Sequence, residues 1–472
     1  MNTNYDMLVI EFMFATPHLE TSIEIAIKES SRKKVLFCCV DFGDYDSAIP
    51  YKTKLIGGNK KRKFIQTKKI LREFDIDSVY ICKKYNNNLN ISKIQEFEHI
   101  QDLMFNNYNI GVGICSSIIS RLGTIDPDRS EYLKLLPGYV RSSVAATIVS
   151  EEIIRRYRPS AILIFNGRYA VPWAISQVAK YFNVYILYHE RGANASRYWC
   201  SRYSPHDLDY RRQLIDDLWK KSIEDKVSIG KSFFSKRKSG DGIGWLSFSG
   251  DQRKGLVPAK KNIKRFVYFT SSEDEYAALF MYFKNKLFRN QRDAILYLIN
   301  YFSSIENSEL IIRVHPHLEL KNEKDRIWWN SLKGRNCTVI ESSSKVSSYE
   351  LLESADGIIT YHSTMGAEAA YWGKASIVLG DSLVKGMGCV YEPNTISELE
   401  NMLSRNQLTP LGSDKVIPFG YYSMRFGNEF QYYIAKDLFE GEVCGILLSY
   451  HMLWYRFAKK AIWRILNILN RK

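Results

Sequence analysis

In "DGIITYHSTMGAEAAYWGKASIVLG", residues 356–380, two short apolar runs enclose a segment of small residues at helical spacing. Parallel strands need a crossover long enough to hold a helix, so strand, helix, strand is the signature of a parallel sheet. The alternation continues outward. Upstream lie "RFVYFTS" (265–271, strand), "RDAILYLINYFSSI" (292–305, helix) and "SELIIRVHP" (308–316, strand). "RIWWNSLK" (326–333, helix), "CTVIES" (337–342, strand) and "SSYELLESA" (347–355, helix) lead into the quoted stretch, and "TISELENMLSR" (395–405) is a late helix.

The first half repeats the pattern. "DMLVIEF" (6–12), a helical stretch from Pro17 and "VLFCCVDF" (35–42) form one strand, helix, strand unit. "SAILIFNGR" (160–168), "AVPWAISQVAKYF" (170–182) and "NVYILYHERG" (183–192) form another, after a long helical pattern from Glu131 to Arg158. Residues 51–75, containing "GGNKKRKFIQTKK", are very basic and read as an exposed loop, and residues 205–237 read as helical and polar. Residues 239–264, rich in Gly, Ser and Lys, read as a linker.

The expected architecture is therefore α/β, with two Rossmann-like doubly wound domains facing a cleft. The boundaries expected are 1–238 for an acceptor-side domain, 239–264 for the linker, 265–440 for a nucleotide-binding domain and 441–472 for a basic amphipathic helix. That last helix rests on "HMLWYRFAKKAIWRILNILNRK" (451–472), whose apolar residues recur at helical spacing among six basic residues and no acidic one. It reads either as a helix packed on the body or as one lying on an anionic membrane surface.

A length of 472 residues exceeds one ordinary core, and a formal charge of +15 favours acidic partners such as phosphorylated substrates or anionic lipid. The eight cysteines form no disulfide framework; Cys38, Cys39 and Cys82 lie in apolar runs. The N-terminus lacks a signal-peptide pattern and no apolar run reaches membrane-spanning length, which points to a cytoplasmic protein, peripheral on the inner face of the cell membrane. No aromatic-basic recognition motif suggests nucleic acid. Also missing are the P-loop, the G-x-G-x-x-G turn, H-E-x-x-H and G-x-S-x-G.

Ligands of open parallel sheets bind beyond the carboxyl ends of the strands. In the second half those ends are "TSSEDE" (270–275), "RVHPH" (313–317), "ESSS" (341–344), "YHSTMGAE" (361–368) and "GDSLVKGMG" (380–388). Ser363 or Thr364 would cap a helix whose free N–H groups suit a phosphate, with Arg313, His315 and Lys385 beside it. Pro316 biases His315 to an extended conformation, and its imidazole can donate to a leaving phosphate. Glu368 can accept from a ribose diol, or merely favour the helix start. Ser271 and Ser272 can bind base or sugar, or cap a helix. A metal trio of His315, His317 and His362 is disfavoured, because no carboxylate stands at ligand spacing.

In the first half, Asn166 and Arg168 in "FNGRYA" and His189 and Glu190 in "YHERGA" end successive strands. Glu190 or His189 could take the proton of an acceptor hydroxyl, with Asp207 in "SPHD" as a further candidate base. The plain alternative is an ion pair of Glu190 with Arg168 or Arg191. His18, after the first strand, is expected to shape the acceptor side.

These residues resemble a known group. Two Rossmann-like halves with nucleotide-side motifs in the second resemble the GT-B fold of glycosyltransferases. "HP" at 315–316 with "ST" at 363–364 is similar to the paired motifs of bacterial enzymes that use CMP-linked sugars, such as the sialyl- and Kdo-transferases of capsule and lipopolysaccharide assembly. There, the resemblance implies, His315, Ser363 and Thr364 contact the nucleotide phosphate. "FNGRYA", "HERGA", "SPHD" and "FTSSEDEYAAL" also look like the capsule polysaccharide biosynthesis family. In "SEDE" no glycine follows, unlike the acid motif of the sialyltransferases.

The expected function is transfer of a sugar from a nucleotide donor, CMP-linked by resemblance, to a surface polysaccharide or glycolipid, with no required cofactor. A CDP-glycerol-type phosphotransferase, a nucleotide-sugar 2-epimerase and a non-catalytic scaffold of polysaccharide assembly are the alternatives.

Overall fold

The computed structural model describes residues 4–41, 60–82, 94, 96–241, 252–275, 277–279, 281, 283–320, 322–405, 407–436 and 440–448. The chain divides into two compact units. The first comprises Met1–Ser117, Leu133–Arg202 and Gly427–Lys472; the second comprises Ile118–Tyr132 and Tyr203–Phe426.

The first unit is built on β1 (Met7–Glu11), β2 (Val35–Asp41), β3 (Asp77–Cys82), a small hairpin of β4 (Met104–Phe105) and β5 (Tyr108–Asn109), then β6 (Ala161–Phe165), β7 (Tyr185–Arg191) and β8 (Arg197–Ser201). The second carries β9 (Lys264–Phe269), β10 (Ser308–Arg313), β11 (Cys337–Ile340), β12 (Gly357–Thr360) and β13 (Ser376–Val378). Back in the first unit, β14 (Asn428–Glu429), β15 (Tyr433–Ala435), β16 (Gly441–Val443) and β17 (Ile446–Leu447) follow.

The first sheet runs β14-β8-β7-β6-β1-β2-β3 and the second β11-β10-β9-β12-β13. All five strands of the second sheet are parallel, as are the five from β7 to β3. Counted along the chain, both parallel cores have the order 3-2-1-4-5, so each unit is Rossmann-like. The strand order reverses between β1 and β6 in one sheet and between β9 and β12 in the other, and such switch points open a crevice at the carboxyl ends.

The sequence forms these sheets because its strands are apolar on both faces. β1, β6, β10 and β12 are buried along their whole length, as parallel strands covered by helices must be. In β9, Phe266 and Tyr268 join one core layer with Leu298, Phe302 and Trp329, while Val267 and Phe269 join the other with Leu351 and Ile358. Alternation across the pleat explains the split.

The returning C-terminal segment is tied to the first unit by Glu24. This fully buried carboxylate accepts backbone N–H groups of Gln431 (2.8 Å), Tyr432 (2.8 Å) and Tyr433 (3.1 Å). Tyr433, Val443 and Leu448 then pack with Met7, Leu19 and Phe37.

Three expectations differ from what the chain does. The basic run is not a loop throughout: Lys60–Arg72 is a helix that buries Lys63, Thr67, Ile70 and Leu71. Those positions form one helical face, hidden in the sequence because the buried face includes a lysine. Residues 42–59 lie outside the described residues. Secondly, residues 203–240 group with the second unit and 427–448 with the first, whereas the sequence reading cut at 238 and 440. Helix Lys226–Ser239 lies so close to helix Ile417–Arg425 that a Cβ on Gly230 would stand 2.6 Å from the carbonyl oxygen of Ile417. Thirdly, Cys38 and Cys39 are buried, but Cys82 ends the edge strand β3 and is exposed.

Of the expected linker, residues 242–251 lie outside the described residues; further on, the Gly255 N–H donates to the Glu350 carboxylate (2.8 Å). Residues 449–472, on which the basic C-terminal helix was read, also lie outside. Among the described residues no helix is long and apolar enough to cross a membrane.

Candidate functional site

In the second unit Ile340, Arg313, Phe269, Thr360 and Val378 pair in one row across the sheet. Neighbouring strands are about 4.8 Å apart, so the residues just beyond this row crowd one edge. They are Thr270–Ser272, Val314–His317, Tyr361–Thr364 and Leu379–Asp381.

His315 is half-buried. Its backbone N–H donates to Thr270 Oγ1 at 2.8 Å, pinning the His-Pro turn to the end of β9. Its Nδ1 accepts the backbone N–H of His317 at 3.1 Å, so the neutral ring carries its proton on Nε2. A donor nitrogen is thereby oriented before any ligand arrives.

The loop after β9 is held by Gln291. Its Oε1 accepts from the Ser271 N–H (2.8 Å) and hydroxyl (3.1 Å), and its Nε2 donates to the Ser271 carbonyl (3.0 Å). The Gln291 N–H donates to Glu273 Oε1 at 2.7 Å. Burial pushes the Glu273 carboxyl up to about 7, against the pull of that amide and of Arg292. Ser272 Oγ is buried with no hydrogen-bond partner among the described residues.

Ser363 and Thr364 precede helix Met365–Tyr371. Thr364 occupies the N-cap position and is exposed, but its side chain caps no backbone N–H; its Oγ1 is 3.3 Å from Glu368 Oε1. Ser363 Oγ accepts weakly from the Met365 N–H at 3.4 Å. Glu368 itself is fully buried. Its oxygens accept from Arg237 (3.3 Å), from the Tyr349 hydroxyl and from Thr364, which commits it to packing between helices.

Arg313 is also buried. Its guanidinium donates to the carbonyls of Val314 (3.2 Å), Glu341 and Ser344 (2.9 Å), and burial lowers its pKa to about 10. Those bonds fix the 341–344 turn. Lys385 Nζ is 3.5 Å from Asp381, a buried carboxylate that also accepts from Arg212 (2.9 Å) and from the Lys284 N–H (2.9 Å). The Asp381 carbonyl takes the Nδ1 proton of His362, whose imidazole burial pushes down to about 4. Asp207 caps helix Leu208–Lys221, accepting the Tyr210 N–H at 3.0 Å, and belongs to the second unit.

In the first unit the switch point is strained. Phe14 and Asn166, just past β1 and β6, have φ of 52° and 54°, and Gly167 follows at 88°. Left-handed backbone at non-glycine residues is costly and persists where surrounding contacts hold it. Here Glu11 Oε1 accepts the Phe14 N–H (2.8 Å) and Lys63 Nζ donates to the Phe14 carbonyl (2.6 Å). Gly167 is required, since a Cβ would lie 2.5 Å from the Tyr188 ring.

Asn166 Nδ2 donates to Glu190 Oε2 at 2.5 Å, and the Arg191 N–H donates to Glu190 Oε1 at 3.0 Å. Burial raises the Glu190 pKa, while Asn166, Arg191 and Arg168 pull it down. Arg168 is buried and donates to the Tyr169 hydroxyl at 2.6 Å. His189 is buried, with Nε2 3.1 Å from Ser22 Oγ, and burial pushes its pKa down to about 3. The His18 ring lies on Phe165 with centroids 4.0 Å apart and 6.4 Å from His189. Asn166, Glu190, His189 and His18 thus gather at the carboxyl ends of β1, β6 and β7.

Sequence reading missed Glu11, Ser22, Lys63, Thr270, Gln291 and Asp381. One signal was present: Glu11 is a lone carboxylate inside the apolar run "MLVIEF".

No family model matches the sequence, and no curated protein matches it. Among solved structures, the chain is similar to the KpsC beta Kdo 2,4 transferase of Thermosulfurimonas dismutans, with 13% identity, 55% of this chain and 78% of that one covered, and a TM-score of 0.35. It is similar to a UDP co-structure of S. aureus MnaA, with 14% identity, 90% and 94% coverage and a TM-score of 0.29. It is also similar to the UDP-GlcNAc 2-epimerase of Methanocaldococcus jannaschii, with 13% identity, 88% and 97% coverage and a TM-score of 0.25.

Proposed function

We propose that the chain is a nucleotide-sugar-dependent glycosyltransferase whose second unit binds the donor and whose first unit activates the acceptor hydroxyl. The carrying observation is that the His315-Pro316 turn and the Ser363-Thr364 turn follow β10 and β12, the strands on either side of β9 at the switch point. The Nε2–H of His315, the hydroxyls of Ser363 and Thr364 and the ammonium of Lys385 meet the donor phosphate. The loop of Ser271 and Ser272, held by Gln291, is assigned to base or sugar. Developing charge on the leaving nucleotide is met by fixed donors, and no metal is required in this reading.

Arg313 and Glu368 act by holding the turn and the helix that flank the phosphate position. In the first unit Glu190, raised in pKa and oriented by Asn166, is the favoured base; His189 stands behind it, and Asp207 serves as a cap. The CMP-linked donor and the polysaccharide or glycolipid acceptor come from the motif resemblance. The basic 451–472 segment is the proposed contact with an anionic membrane, which would keep the enzyme peripheral.

A thermal-shift panel of CMP, CDP, UDP and GDP tests the donor side. Stabilisation by one nucleotide, with mass-spectrometric detection of transfer from the matching donor to a lipid-linked glycan, is the expected result. No stabilisation by any nucleotide overturns the reading.

A further inference from the structure

Ser22 Oγ lies 2.8 Å from Oε2 of Glu11 and 3.1 Å from Nε2 of His189, and all three residues are buried. A hydroxyl has one proton to give. An ionised carboxylate oxygen only accepts, so that proton points at Glu11, and towards His189 the serine oxygen is left as an acceptor. Nε2 of His189 must then hold the ring proton. Burial raises the Glu11 pKa, but its Oε1 accepts the N–H groups of Met13 (2.7 Å) and Phe14 (2.8 Å), and these bonds with Lys63 favour the ionised form on which the proton count rests. Nδ1 of His189 is buried with no hydrogen-bond partner among the described residues.

We propose that Glu11, acting through Ser22, locks His189 in the Nε2–H tautomer and so keeps the buried Nδ1 bare as the acceptor nitrogen of the ring. Glu11 and Ser22 are positioning residues, each acting on the imidazole rather than on substrate. The tautomer stands on the hydrogen-bond geometry with Glu11 ionised; the part His189 plays in transfer rests on the acceptor-side reading above. A carboxylate that fixes an imidazole tautomer governs which nitrogen can take a proton, and the wrong tautomer disables the ring as a base.

The chain has eight histidines, so full-length protein labelled with ¹⁵N-histidine gives few signals, and loss of one set in His189→Gln assigns the residue. Two-bond ¹⁵N–¹H correlations distinguish the protonated nitrogen from the bare one. The wild type is expected to show the proton on Nε2. In Glu11→Gln the carboxamide oxygen keeps the two backbone N–H groups and its NH₂ faces Ser22. The serine must then donate to His189, and the proton moves to Nδ1. Ser22→Ala removes the link and loses the Nε2–H preference, while Ser22→Thr retains it.

A wild-type proton on Nδ1, or an unchanged Nε2–H in folded Glu11→Gln, overturns the proposal. Should Glu11→Gln fail to fold, an unchanged Nε2–H in Ser22→Ala overturns it equally. Nucleotide binding by the second unit is expected to be unaltered in these variants, so failure of the donor reading and failure of the tautomer lock are separate outcomes.

Discussion

Asn166 donates its side-chain amide to Glu190 from a left-handed backbone position, φ 54°, at the end of β6. Asparagine tolerates that backbone better than most residues, and its amide is a donor the carboxylate can use. One residue therefore serves both the sharp turn and the charge state of the candidate base.

Asn166→Gly separates the two roles, because glycine keeps the turn and deletes the amide. Burial already raises the Glu190 pKa and the Asn166 bond opposes it, so the variant should raise it further. Carboxyl ¹³C titration should move to higher pH. In transfer assays the acid limb should follow in the same direction, since a base must be ionised. Glu190→Gln should lower kcat by about 10²-fold or more.

Arg313 spans three carbonyls with a planar fork that an ammonium cannot reproduce. Arg313→Lys should destabilise the second unit by about 3 kcal/mol, read by denaturant unfolding. Equal stability would mean that the guanidinium bonds to the 341–344 turn contribute little.

Glu368 is fully buried against Arg237 and Tyr349. Glu368→Ala should cost about 2–3 kcal/mol by leaving a partly buried guanidinium without its carboxylate. A ribose ligand would behave differently, losing nucleotide affinity with stability intact.

Glu273, with a folded-state pKa of about 7 against 4.5 for the free group, binds its proton more tightly when folded. The stabilisation from that proton is full below pH 4.5 and is lost as pH rises through 7, about 3 kcal/mol in all. Glu273→Gln keeps the acceptor for the Gln291 N–H and has no charge to bury. The variant should therefore gain on the wild type in melting temperature between pH 5 and pH 8. Parallel curves would show that Glu273 titrates normally.

The alternation of strands and helices was legible because β1, β6, β9, β10 and β12 each centre on an apolar run with polar residues near its ends. Those ends also exposed His315, Ser363, Asn166 and Glu190. What stayed hidden depends on contacts between residues remote in the chain. Ser22 and His189 are 167 positions apart, and Glu24 meets the strand at Tyr433 after 409. Helix Lys60–Arg72 was obscured because Lys63 turns its ammonium inward to a carbonyl, which composition alone reads as solvent exposure. The roles of Arg313 and Glu368 were misjudged for a related reason: a charged residue near a strand end looks available until its partners are known.

The most direct test is calorimetric titration of the wild type and His315→Ala with CMP, CDP, UDP and GDP. One nucleotide should bind the wild type, and the half-buried His315 should be removable without unfolding. Losing a donor to a charged phosphate is worth about 1.5–3 kcal/mol, so affinity should fall at least roughly tenfold. Undiminished nucleotide binding by His315→Ala, or no binding by the wild type, would contradict a phosphate site at the β9–β12 switch point.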